Sequence, residues 1–195
     1  MTPKQIERTQ TKIKSIRATL AAEKRKFGAY DDSRGLRYLP PSLYIKMQDY
    51  KGALTYLRWF QQNFPDDSGF PDFLFEWTFI LFKVGKFKDA ERKALQTFCA
   101  NSYLFDKFMG RPIIPIDKYE GSNLDIPAFA DYLTYTHTQP DCLDFAQWLN
   151  TLEQTPAFRE KCTQFIEWSK QLKSEHDLEK RSQLVEQIWA LKRGA

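Results

Sequence analysis

Apolar residues recur at intervals of three and four along this chain, and nothing in residues 1–109 alternates with the period of two that a strand requires. The pattern therefore predicts helices. In the first, Ile6, Ile13, Leu20 and Phe27 return every seven residues with Ile16 on the same side, a narrow seam suited to docking on one neighbour. Thr2 is placed to cap this helix and Pro3 to occupy its first turn. Gly28 and the cluster Asp31, Asp32, Ser33 and Gly35 end it. Pro40 and Pro41 favour a helix starting just after them, so helices are expected at about 41–48 and 50–63, closed by a turn of Asn63, Pro65, Asp66, Asp67, Ser68 and Gly69. The next, 71–84, is apolar on every side, and Gly85 separates it from another at 87–100.

The stretch Gly110 to Pro127 reads differently. Pro112, Pro115, Gly121 and Pro127 interrupt it, and Ile113, Ile114, Ile116 and Leu124 predict an irregular connection packed against helices. Helices are expected again near 127–136, 141–153, 156–173 and 176–192. Asp141 and Asp144 suit the start of the second of these. Phe158, Cys162, Phe165, Ile166, Ser169 and Leu172 form the stripe of the third, and Leu178, Val185, Ile188 and Trp189 that of the last.

Charge changes this picture in one place. Residues 1–38 hold ten Lys and Arg against four acids, a net of +6, whereas residues 39–156 carry a net of −4. The basic character belongs to the leader, and it is read first as a solvated helix face and second as a site for phosphates. Phe73 to Val84, the richest apolar stretch, is too short to span a bilayer and carries Glu76 and Lys83, so no membrane association is expected. The polar, basic first dozen residues predict no secretory signal. Cys99, Cys142 and Cys162 match no zinc or redox spacing and read as reduced thiols of a cytoplasmic protein.

Within residues 41–100 the helix pairs have a further regularity. Tyr44, Asp49, Tyr50, Ala53, Leu57 and Pro65 form one set, and Gly85, Lys86, Phe87, Ala90 and Ala94 a second, with Ala53 and Ala90 at points where two helices approach closely. This resembles two tandem tetratricopeptide repeats. Pro40 and Pro41 shorten the first helix, the two alanines stand 37 residues apart, and Ser102 takes the place of the second closing proline. The resemblance implies a right-handed helix-turn-helix array whose first helices line a groove for a peptide or protein. Ile45, Lys46, Phe75, Phe79, Phe82 and Lys83 would face that groove, and the equivalent Lys46 and Lys83 would suit a carboxylate-bearing ligand. The carboxylate clamp of some repeats is not expected, because its positions hold Ser42, Phe75 and Phe79. A helix apolar all round is normally buried all round, so the groove is expected to be filled by the C-terminal helices or the 110–127 connection, with an open groove as the alternative.

Other chemistry is sparse. Lys12, Lys14, Arg17, Lys24, Arg25 and Lys26 could contact phosphates of a nucleic acid without reading its sequence. His137 and His176 have no patterned partner, and the paired acids Asp31–Asp32 and Asp66–Asp67 are turn formers. Phosphate loops and dinucleotide fingerprints are absent from the sequence, and no catalytic, metal-binding or cofactor-binding residues are assigned. The expectation is an all-α chain comprising a basic helix (1–30), repeat-like hairpins (31–109) and a packed C-terminal region (110–195), together forming one continuous domain. Its function is that of an interaction or scaffold protein rather than an enzyme, with a protein or peptide partner of unassigned identity and oligomeric state. Non-specific nucleic-acid binding is the alternative.

Overall fold

The computed structural model describes residues 1–30 and 32–193, and its regular structure among the described residues is entirely helical. The chain divides into two compact units, residues 1–69 with 83–85 and residues 70–82 with 86 onward. Asp31, assigned from sequence to the first turn cluster, lies outside the described residues.

In the first unit, α1 (Pro3–Phe27) begins with a capping box. The Thr2 hydroxyl accepts the Gln5 N–H while the Gln5 side chain accepts the Thr2 N–H, satisfying two donors that a helix start leaves orphaned. Gly28 closes the helix at φ 75°, a left-handed geometry that costs glycine little. Ile13, Ile16 and Leu20 are buried, but Phe27 is 58% exposed, so the seam is shorter than its seven-residue repeat predicts. α1 lies against a 3₁₀ turn (Leu36–Tyr38) and against α2 (Pro40–Lys46), which packs in turn on α3 (Tyr50–Asn63). Asp49 caps α3 by accepting the Gly52 N–H at 2.9 Å.

The turn acids are structural. The buried Asp32 carboxylate accepts the N–H groups of Leu36 (2.7 Å) and Arg37 (2.8 Å). The Arg37 side chain bridges Asp32 at 3.1 Å and Asp67 at 2.7 Å, and the Tyr38 hydroxyl also donates to Asp67. This charge-assisted set ties the segment before α2 to the turn after α3.

The second unit is built from α4 (Pro71–Lys83, of which Lys83 belongs to the first unit), α5 (Phe87–Ala100), α6 (Leu104–Met109), α7 (Leu143–Gln154), α8 (Pro156–Ser174) and α9 (Leu178–Arg193). Every α4 residue from Phe73 to Leu81 is buried, as its all-round apolar character predicts. α5 meets α4 through a hydrogen bond between the Thr78 and Thr97 hydroxyls (3.0 Å) and also packs on α8 and α9.

Two differences from the expected elements have local causes. Six-residue α6 is too short to show a helical period. The helix expected near 127–136 is a 3₁₀ turn ending at Tyr132. Beyond it Leu133 and Tyr135 turn inward while Thr134, Thr136 and Thr138 are exposed, an alternation of period two that β-branched threonines favour.

The long connection is pinned by one buried side chain. Asn101 donates from Nδ2 to the carbonyls of Leu124 (2.7 Å) and Ile126 (3.0 Å), and its Oδ1 accepts the Tyr103 N–H at 3.0 Å. The Ile116 N–H donates to the Tyr103 hydroxyl at 3.1 Å and the Tyr119 N–H to the Ser169 carbonyl of α8 at 2.9 Å, so the segment is held at further places although Ile114 is 73% exposed. Asn101→Ala removes both carbonyl contacts from a site with 1% exposure. It should lower unfolding stability by about 2–4 kcal/mol, measured by urea denaturation.

Candidate interaction surfaces

The six groove residues are divided between the units. In the first, Ile45 is buried in α2, Lys46 is exposed, and the Lys83 amine stands 5.9 Å above the Tyr50 ring. In the second, Phe75, Phe79 and Phe82 lie along α4 at helical spacing and meet residues of their own unit. Phe75 packs on Phe108 (5.1 Å between ring centroids), Phe145 (5.6 Å) and Tyr135 (5.8 Å). Phe79 meets Phe145 at 5.0 Å, and Phe82 lies between Phe145 (5.5 Å) and Trp148 (5.1 Å). Phe75 and Phe79 are 0% and 1% exposed, so a ligand does not reach them in this structure. Their aromatic covering comes from α7, α6 and Tyr135 of the segment after the 3₁₀ turn.

One polar group shares this covering. The Tyr135 hydroxyl donates to the buried Glu76 carboxylate at 2.8 Å, and burial drives that hydroxyl far above its ordinary pKa. The pair satisfies a carboxylate placed in the middle of an apolar helix, a role not visible from the isolated Glu76 in the sequence.

The six candidate phosphate contacts on α1 are all exposed: Lys12, Lys14, Arg17, Lys24, Arg25 and Lys26. At 100° per residue they do not form a single row. Lys14 and Arg25 point away from the buried stripe, Lys12 and Lys26 share one flank, and Arg17 and Lys24 the other. The last two lean on aromatic rings, Arg17 at 5.8 Å from Trp59 and Lys24 at 4.8 Å from Tyr30. Lys4 and Arg8 extend the exposed set, and none of these eight cations is paired with a carboxylate among the described residues.

Helix α9 corrects one expectation. Its buried stripe is Leu184, Ile188 and Leu191. Leu178 (84% exposed), Val185 (37%) and Trp189 (61%), three of the four residues assigned to packing, lie on a solvent-facing side. With Ser182, Arg181, Glu186 and Arg193 they line a shallow groove of about 480 Å³. Of the two apolar rows on this helix, the 184–188–191 row is the one turned toward α8 and α5.

Burial pushes the Cys99 thiol up to about 12 and raises that of Cys162, so neither is a thiolate near neutrality. The His137 ring nitrogen Nδ1 lies 3.1 Å from the Phe108 carbonyl, and His176 is exposed. Among the described residues no group of three or more His, Cys, Asp or Glu is arranged to hold a metal ion, and no helix is long and apolar enough to cross a membrane. Compared with protein-family models, curated proteins and solved structures, the chain matches none.

The Lys93 amine lies 3.9 Å above the Trp77 ring and donates to Gln96 at 2.6 Å, while desolvation pushes its pKa down to about 8. The unfolded chain therefore binds more protons between pH 8 and 10.5, and this group contributes a rise in stability with pH across that window. Lys93→Met should be more stable than wild type at pH 7 by about 1 kcal/mol, the desolvation relief exceeding the lost cation–π contact. Denaturation midpoints taken from pH 7 to 10.5 should show that advantage shrinking.

Proposed function

We propose that this chain is a non-catalytic interaction protein that binds a protein partner through an outward-facing helix surface. The observation that carries this reading is the exposed apolar row Leu178–Val185–Trp189 on α9. Contiguous apolar surface that a chain leaves uncovered, flanked by polar residues, is characteristic of protein contact sites. The resemblance of residues 41–100 to tetratricopeptide repeats supports the same class of function, since such hairpins commonly serve as scaffolds. The covered state of Phe75 and Phe79 moves the contact from an internal groove to the outside. Lys46 and Lys83 remain candidate peptide contacts of the first unit. Three free thiols, two of them buried, favour the cytoplasm as the place of action.

Val185→Lys with Trp189→Lys alters only the solvent side of α9. Partner protein retained by the tagged wild-type chain through a high-salt wash should be lost with this variant; equal retention would remove α9 from the function.

A second reading rests on α1, whose eight exposed cations suit a polyanion. Replacing Lys12, Lys14, Arg25 and Lys26 by Glu should then abolish retention of an arbitrary oligonucleotide, and wild-type affinity should fall steeply as salt rises. Retention unaffected by the four substitutions excludes nucleic-acid binding through this helix.

A further inference from the structure

We infer that the α9 row is a self-association surface, and that its occupant is the same row of a second copy of this chain, aligned in parallel. The inference rests on the reading of α9 as a protein contact site and names its partner.

Positions 178, 182, 185 and 189 are spaced by four, three and four, the seam of a two-helix coiled coil, and they fall within about 60° of one another around the helix. Leu178, Val185 and Trp189 supply apolar knobs, and Ser182, small and exposed, lets the two backbones approach. The charges flanking the seam decide the partner. Arg181 stands on one flank and Glu186 on the other, five residues apart and each about 70° from the seam's centre.

When two copies of a helix pair in parallel about a two-fold axis, opposite flanks meet, and a residue on one faces the residue five further along on the other. Arg181 of each copy then lies beside Glu186 of the second, giving two symmetric ion pairs. An antiparallel pair brings equal flanks together. It sets Arg181 among Arg181 and Lys192 of the second copy, and gathers Glu179, Glu186 and Arg193 of both copies on the other side.

The structure also prepares the parallel arrangement. Arg181 already donates from Nη1 to the carbonyls of Leu172 and Glu175, both at 2.7 Å, and lies 5.7 Å from the Tyr119 ring, so its guanidinium is ordered before pairing and loses less entropy on it. Lys192, at the end of the seam, places its amine 5.7 Å from the Phe165 ring of its own chain. Around the seam Arg181, Lys192 and Arg193 stand against Glu179 and Glu186, a net of +1 that gives the face little with which to attract a polyanion or an anionic lipid surface. A patch of a few hundred Å² per copy is smaller than the ~800 Å² of a permanent interface, so association is concentration-dependent, with a Kd on the order of 10–100 μM.

Sedimentation of the full chain from about 5 to 500 μM tests this. The mean mass should rise from 23.0 kDa toward twice that value, and Glu186→Arg should weaken the rise about fivefold. A chain that stays monomeric at every concentration overturns the inference. If Val185→Lys with Trp189→Lys still loses a captured partner while the wild type is monomeric, the contact-site reading stands and the second copy is excluded.

Orientation is read separately. Leu178→Cys and Trp189→Cys, both at exposed positions, should each cross-link to its own copy under a mild added oxidant, with the wild type as the blank for the half-buried Cys162, since Cys99 and Cys142 are buried. A parallel pair brings both positions face to face. An antiparallel pair permits at most one, so cross-linking of one variant alone, or of neither, overturns the parallel arrangement.

Discussion

Helix α4 carries apolar side chains around its whole circumference, and the second unit is organised by the need to bury them. Phe75 and Phe79 have their outer edges closed by Phe108, Tyr135 and Phe145, which meet them at centroid separations of 5.0–6.3 Å. Several of these pairs are edge-to-face or tilted, the arrangement that aromatic quadrupoles favour. The carboxylate that this environment would otherwise penalise, Glu76, is held by the Tyr135 hydroxyl from the same covering segment. Burial, ring geometry and polar satisfaction thus converge on one closure. Its functional consequence is that the face of α4 that a repeat-like reading assigns to a ligand is occupied by the chain itself.

With that face closed, the residues available for recognition lie on helices whose outer sides have no packing duty. α1 buries only Ile13, Ile16 and Leu20 along most of its length, leaving its cations in water. α9 buries Leu184, Ile188 and Leu191 and leaves a second apolar row exposed. The two surfaces differ in chemistry. One is cationic and suited to weak, salt-sensitive attraction, and the other is apolar with balanced flanking charges and suited to a short-range, geometrically defined contact.

Much of the helical layout was legible because its signals are local. Thr2, Pro3 and Gly28 mark the limits of α1, Gly85 separates α4 from α5, and Asp66 to Gly69 form a turn in which Asp67 proves to be a structural anchor for Arg37 and Tyr38. The failures arise where a decision depends on what lies opposite. α9 has two apolar rows, and its own sequence does not say which one meets a neighbour. Residues 133–136, within the helix expected near 127–136, are extended instead, and their alternating threonines carry the period of an extended chain. The anchoring by Asn101 of carbonyls more than twenty residues away has no local signature. For the candidate groove, the apolar residues of α4 were identifiable, but the rings that cover them, Tyr135 and Phe145, are met only through contacts distant in sequence.

A double-mutant cycle between Phe79 and Phe145, using Leu at each position and unfolding free energy as the readout, tests most directly whether the chain fills the inner face of α4. The two rings meet at 5.0 Å with their planes at 76°, so the double variant should lose less stability than the sum of the single variants, with a coupling of at least about 0.5 kcal/mol. Additivity within about 0.3 kcal/mol would mean that the rings do not touch in solution, and would contradict the closure on which this account depends.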